Sequence, residues 1–363
     1  MMTPTEERTL NTTQTPQRDD PAQVVPVGVD DGYAYTKVAL PDGRLVAVPS
    51  RARIGAAGVT WIRPEEQRIF EYETRGSVYS VGAVDGEPTQ FDEYPGSSLN
   101  RVIVQHALQQ AGLSGRVVHM VTGLPVSAYY RHDGQQRRPA ISVKREGLKV
   151  TVEPIGSNRS ASARVRKASV AFHEVIPEAL AAWYDHVIVT QDDGVTLDAD
   201  RLNAPIAIVD IGGRTTDYVV VQDQGVVHEA SGSLNRGMLN VTIRVANRIQ
   251  EAFDLNEIGE QSISRAVDTH TLRVHGKDHD VSAMVTEAKR ELVERLYTET
   301  RRKLGLGAEL DRVLFVGGGS MALVEDIANW FPNQIVADHA AFANARGMLK
   351  YLQYVCDDPE NNA

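Results

Sequence analysis

Apolar positions in this chain recur with a period of two in short runs, and the same order of runs appears twice. VVPVGVD (24–30), TKVALP (36–41) and RLVAVPS (44–50) are separated by acid- and glycine-bearing turns and predict a β-meander. The spacing then changes to that of a helix in SLNRVIVQHALQQAG (98–112), where Val102, Val104, Ala107, Leu108 and Ala111 share a side and Gly112 is the stop. VVHMVTGLP (117–125) reads as a buried strand entering a Gly-Leu-Pro loop. Arg164 to Phe172 reads as another strand, and Pro177 to His186 as a helix with proline in its first turn. Residues 51–98, mixed and rich in turns, read as a small inserted lobe.

The cycle restarts at APIAIVD (204–210), followed by a glycine-rich turn and the strands DYVVVQ (217–222) and GVVHEA (225–230). Helices follow over 239–253 and 285–304, the second with apolar Val285, Ala288, Leu292, Leu296 and Leu304 on one face. RVLFVGGGS (312–320) is a strand ending in three glycines, and Ala343 to Tyr354 a final helix. Duplication of a sheet-plus-helix unit explains the pattern most simply, and two such units facing each other bring both acid-glycine hairpins to one cleft. The expected fold is therefore α/β, with two mixed sheets and flanking helices. Residues 23–200 and 201–340 form the two domains, and 341–363 a helix and tail packing back on the first. Residues 1–22, polar and rich in Thr, Gln and Pro, read as a disordered tail.

The 363 residues suffice for two cores, and 42% hydrophobic with 24% charged residues excludes disorder of the whole chain. A formal charge of −10 argues against wholesale non-specific DNA binding, since phosphates would repel most of the surface. Cys356 is the single cysteine, which excludes an intramolecular disulfide and a multi-cysteine metal site. With no long apolar run and no basic-then-apolar leader, the expected location is the cytoplasm, away from membranes.

The candidate chemistry lies in the hairpins. From Asp30 to Lys37, a glycine (Gly32) lets successive backbone N–H groups turn towards a ligand, and Lys37 returns on the next strand within reach of the same anion. A carboxylate beside phosphate is repulsive unless a divalent cation intervenes, so Asp30 implies Mg²⁺ held through water. Taken alone, this hairpin is better accounted for by a surface turn with a salt bridge. The second, DIGGRTTD (210–217), repeats the logic with Asp210, Gly212, Gly213, Thr215 and a second acid, Asp217. Gly317, Gly318, Gly319 and Ser320 form a third glycine loop after a hydrophobic strand, open to a flat ligand such as adenine or ribose. No GxxxxGK[ST] stretch is present, which speaks against a P-loop enzyme.

These three segments, in this order, resemble the phosphate-1, phosphate-2 and adenosine signatures of the actin, sugar-kinase and seventy-kilodalton heat-shock chaperone superfamily. Within it the chain is similar to the ParM/StbA plasmid-segregation ATPases. VTGLPVSAYY (121–130), HEVIPEALAAWY (173–184), VTEAKRE (285–291) and ANARGMLKYL (343–352) carry that narrower likeness. The resemblance implies an actin-like, ribonuclease H-like fold with ATP or ADP in the interdomain cleft, GTP being left open. Asp30 and Asp210 would position Mg²⁺ through water, Lys37 would contact the phosphates, and Gly212, Gly213 and Thr215 would clamp them. Glu287 and Arg290 would reach ribose and adenine; Asp217, read from the hairpin itself, would hold the metal's waters or the attacking water. Glu174 falls where the family's catalytic carboxylate polarises the attacking water, with Glu178 its rival one turn later.

The implied function is a dynamic, nucleotide-dependent filament that segregates plasmid DNA through a ParR-like adaptor. The alternatives are a small-molecule kinase of the same superfamily and a non-polymerising scaffold of the cell-division or pilus-assembly type. Two residues depart from the pattern: Tyr33 stands where relatives place a serine or threonine, and Arg214 where glycine or threonine is usual. The stretch Arg131 to Lys167 carries ten Lys/Arg against three Asp/Glu, and reads as a filament contact, a DNA patch or a solvated hairpin.

Overall fold

The computed structural model describes residues 24–59, 62, 68–155, 166–191 and 194–356. The expected tail, 1–22, lies outside them, as do parts of the lobe and of the basic stretch. The first sheet has the order β3-β2-β1-β7-β9, from Leu45–Pro49, Tyr35–Ala39, Val25–Asp31, Val117–Leu124 and Ser169–Pro177. Its first three strands form an antiparallel meander, while β1, β7 and β9 run parallel. The parallel crossover between β1 and β7 contains α1 (Ser98–Gln110), whose first turn is capped by Ser97 accepting from the Asn100 N–H at 3.1 Å. The lobe is a sheet of β4 (Ala52–Ile54), β6 (Ser77–Gly82), β5 (Ile69–Thr74) and β8 (Glu153–Ile155). Its last strand comes from beyond 51–98, out of the basic stretch. The helices α2 (Val126–Tyr129) and α3 (Arg138–Lys149) precede it.

After α4 (Leu180–Val187), the hairpin β10–β11 (Ile188–Gln191, Gly194–Leu197) and α5 (Ala199–Asn203), the topology repeats. The second sheet is β14-β13-β12-β18-β19, from Gly225–Val226, Thr216–Gln222, Ile206–Ile211, Arg312–Val316 and Gln334–Val336. Again a meander precedes parallel strands. The third expected strand, 225–230, is cut to two residues, and β15 (Gly232–Leu234) pairs with β13 in its place. Every residue of β12 is buried, as expected of a central strand covered on both faces. Helices α6 (Met238–Phe253), α7 (Glu260–Thr269) and α8 (Ser282–Leu304) cover one face, with the hairpin β16–β17 (Thr271–Val274, Lys277–Asp280) between the last two. The glycine triplet opens the short helix α9 (Gly317–Ala322).

Two helices join the halves. Helix α4 packs against the second sheet through Ala182, Trp183 and Val187. Helix α10 (Ala343–Tyr354) lies on the first. A side chain at Gly28 of β1 would meet the Ala345 carbonyl at 2.0 Å, so glycine sets the closeness of α10. Asp185 of α4 holds Arg346 at 2.6 Å and Lys350 at 2.8 Å. The strand expected over 164–172 and the helix expected from Pro177 are both displaced towards the C-terminus. Strand β9 continues through Glu174 to Pro177, and the helix starts at Leu180.

Candidate functional site

The duplicated topology puts equivalent residues at equivalent ends. Asp30 and Asp210 are each the penultimate residue of the first strand of their sheet, paired with Lys37 and Asp217 on the returning strands. The hairpins face each other so closely that a Cβ on Gly213 would meet the Ala34 methyl at 2.7 Å. Between them lies a cavity of about 550 Å³. Asp30, Gly32, Tyr33, Lys37, Asp210, Gly212, Gly213, Thr215, Gly318 and Gly319 all line it.

Lys37 Nζ donates to Asp30 Oδ2 at 2.8 Å. Burial opposes its charge, but Asp30, Asp210 and Glu178 outweigh that and hold its pKa above the ordinary lysine value. Asp210 is pushed up to about 7, first by burial and then by Asp30 and Asp217, against the hydrogen bond from Asn344 Nδ2 at 2.6 Å. Glu178 is raised well above the glutamate range, by burial first and then by Asp217 and Asp30. This surplus of negative charge fits a hydrated divalent cation, which would relieve the repulsion. Among the described residues no three His, Cys, Asp or Glu side chains converge to grip a metal directly.

Raised acids destabilise the unliganded fold, and the sign is definite. With the folded pKa of Asp210 near 7 and the ordinary value 3.8, the folded state binds more protons between those pH values, so stability falls as pH rises through that window. Asp210→Asn is expected to stabilise the unliganded protein at pH 8 by up to about 3 kcal/mol, a gain that fades towards pH 4. Urea unfolding at several pH values measures it, and a variant less stable than wild type at pH 8 would contradict it.

The far part of the cavity is apolar. Met238, Leu239, Ile243 and Ala246 of α6 face Ile263 and Val267 of α7, with Thr242 and Ser264 among them. The three glycines do different work. A Cβ on Gly317 would strike Asp210 Oδ1 at 2.2 Å and one on Gly319 would strike Ile211 at 2.4 Å, whereas Gly318 meets nothing within 4 Å. Gly317 and Gly319 therefore permit packing on β12, and Gly318 presents bare backbone to the cavity.

Residues 26–187 match the family model described as plasmid segregation protein ParM, N-terminal, and residues 208–329 match archaeal actin homologue MreB-like, C-terminal. The chain belongs to the actin-like ATPase superfamily. It is 26% identical to an archaeal actin homolog of Thermoplasma acidophilum over 89% of this chain and 97% of that one. Its fold matches an archaeal actin homolog in complex with ADP at a TM-score of 0.67, with 20% identity over 90% of this chain and 98% of that one. It matches a 15-stranded ParM filament from Clostridium botulinum at 0.68, with 19% identity over 90% and 98%.

Several expected site residues of this actin-like chain do not reach the cavity. Glu174 sits inside β9 opposite Val121, where its carboxylate pairs with Arg145 and accepts from the Val175 N–H at 2.8 Å. Glu178 follows the end of β9 and lines the cavity. A Cβ on Gly123 of the neighbouring β7 would lie 2.6 Å from Glu178 Cγ, so that glycine gives the acid its passage. Glu287 pairs with Arg248 and Arg290 with Glu294, both away from the cavity because α8 packs on the opposite flank of α6. Ser320 Oγ donates to the Val316 carbonyl at 2.5 Å. Asp217 turns to the seam between the halves, accepting from the Val126 N–H at 2.8 Å and from Ser233 Oγ.

Arg214 and Tyr33, the two departures from the family pattern, belong together. The guanidinium lies 5.1 Å from the Tyr33 ring centre, donates to its hydroxyl at 3.3 Å and pairs with Asp92 at 2.5 Å. Burial pushes the Tyr33 hydroxyl up to about 12, so it stays protonated and neutral. A second strap crosses the mouth. Arg51 meets Glu260 at 3.0 Å, and Asp85 accepts from the Gln261 N–H at 3.4 Å, capping α7 from the opposite half.

Proposed function

We propose that this chain hydrolyses ATP in the cleft between its two halves and uses the cycle to build and dismantle filaments that move plasmid DNA through an adaptor. The observation that carries the reading is the meeting of three acids and a lysine from both halves, Asp30, Asp210, Glu178 and Lys37, at one cavity. The apolar slot between α6 and α7 would take the base, and the Gly318 backbone would pass beside the nucleoside. Backbone N–H groups at Gly32 and Gly213, with Thr215 and Lys37, would hold the phosphates, while the Gly212 N–H closes the hairpin on the Thr215 carbonyl at 2.9 Å. Mg²⁺, kept through water by Asp30 and Asp210, would neutralise phosphate charge when bound. Glu178, rather than Glu174, would orient the attacking water, its raised basicity suiting a strong hydrogen bond to it.

Filament assembly is supported by the fold shared with the ParM filament, and an adaptor by the ParM-type first half. Among the described residues no helix is long and apolar enough to cross a membrane. Sedimentation with ATP, ADP and a non-hydrolysable analogue, followed by electron microscopy, tests the reading. Pelleted filaments with ATP and the analogue but not with ADP are expected, and no pellet under any nucleotide would sink it.

The straps across the mouth would slow nucleotide escape. Glu260→Arg, which sets like charges against Arg51, is expected to speed release of a fluorescent nucleotide by about tenfold, with Arg51→Glu restoring it in the double variant. Stopped-flow displacement measures this; an unchanged rate would remove the straps from the account.

A further inference from the structure

Asn344 was not a candidate on sequence grounds, yet its amide touches both acid-bearing elements of the site. Nδ2 donates to Asp210 Oδ2 at 2.6 Å, and Oδ1 accepts from the Ala179 N–H at 3.2 Å. The residue is buried and lines the cavity. Ala179 is the unusual partner. It is a fully buried non-glycine residue at φ 60°, ψ −42°, directly after Glu178. Such a backbone conformation is sparsely populated and persists only where its surroundings fix it. Here the fixing bonds are few and specific. The Glu178 N–H donates to the Leu124 carbonyl at 2.8 Å, the Leu180 N–H to the Glu178 carbonyl at 2.6 Å, and the Ala179 N–H to Asn344.

We propose that Asn344 is a positioning residue for hydrolysis, tying the Asp210 carboxylate to the turn that aims Glu178. A primary amide suits this place because it donates on one side and accepts on the other in a fixed plane. An aspartate keeps the acceptor but turns a second carboxylate on Asp210, and a leucine of similar bulk offers neither group. The amide is itself held firmly, since it rides on the first turn of α10, which is pressed against β1 where Gly28 leaves room. One side chain from the C-terminal helix thus fixes the spacing between an acid of the second sheet and an acid at the end of the first.

This inference rests on the reading of the cleft as an ATPase site, and the experiment separates the two. Steady-state phosphate release, nucleotide affinity, melting temperature and hydrogen exchange of the Ala179 amide are measured on wild type, Asn344→Leu and Asn344→Asp. In Asn344→Leu, kcat is expected to fall by about tenfold with nucleotide affinity little changed, and the Ala179 amide to exchange faster than in wild type. In Asn344→Asp the acceptor survives, so Ala179 stays protected, while kcat still falls because Asp210 has lost its donor. If the leucine variant fails to fold, the aspartate variant carries the test by the same readouts. Unchanged kcat in a folded variant overturns the proposal, as does a parallel fall of kcat, affinity and melting temperature, which a merely structural residue would give. A wild-type protein that hydrolyses nothing brings down the ATPase reading and this inference together. Hydrolysis that is indifferent to Asn344 brings down the inference alone.

Discussion

Glu178→Gln is expected to slow phosphate release by about a hundredfold or more while leaving nucleotide binding nearly intact. The substitution keeps shape and removes the basic oxygen that would orient water. It also removes a negative charge that Asp30, Asp210 and Asp217 crowd, so the folded protein should not be weakened. Glu174→Gln is the control. Its carboxylate is spent on Arg145 outside the cavity, and turnover should stay within about twofold of wild type, a surface-pair effect at most. Phosphate-release assays on the two variants decide between the acids. A slow Glu174→Gln beside a normal Glu178→Gln would reverse the assignment.

Lys144→Ala is expected to cost about 3–5 kcal/mol of folding stability, the largest single loss among the contacts around the cleft. Helix α3 delivers this lysine into the interior, where it is 2% exposed and donates to Asp31 Oδ1 at 2.7 Å and to the Gly123 carbonyl. Asp31 has a second partner in Asn100 Nδ2 at 2.8 Å, but truncating the lysine leaves a buried carboxylate without its counter-charge. Asp31 adjoins Asp30 and Gly123 adjoins the Glu178 side chain, so the ion pair braces the floor of the site. Chemical denaturation measures the loss, and Lys144→Ala with Asp31→Asn should recover part of it. A change under about 1 kcal/mol for Lys144→Ala would show the pair to be dispensable.

The repeated meander was legible because each strand is a contiguous apolar run bounded by glycine or acid, a signal local to a few residues. The hairpins were legible for the same reason, and ten of the expected residues meet at one cavity. Glu178 was harder to see. Proline at 177 followed by Glu-Ala-Leu-Ala-Ala mimics a helix start, and nothing local reveals that β7 holds the chain extended to that proline or that Ala179 takes a left-handed turn. Moving the strand end by a few residues exchanges which acid faces the cleft. Glu287 and Arg290, suggested by the family resemblance alone, lie away from the cavity, because a short sequence likeness does not say which neighbour α8 meets; that neighbour is α6, between α8 and the cavity. Asn344 gave no signal at all, since its partners lie 165 and 134 residues away in sequence. Arg214 was visible as an anomaly, but Asp92, its counter-charge, is 122 residues distant.

Hydrolysis in this cleft through Glu178 would time the life of a filament. The most direct test follows light scattering and phosphate release together after adding ATP and Mg²⁺ to wild type and to Glu178→Gln. Both proteins are expected to assemble, wild-type scattering to decay as phosphate appears, and the variant's filaments to persist without release. Filaments that decay equally fast in both proteins, or scattering that never rises with ATP, would contradict it.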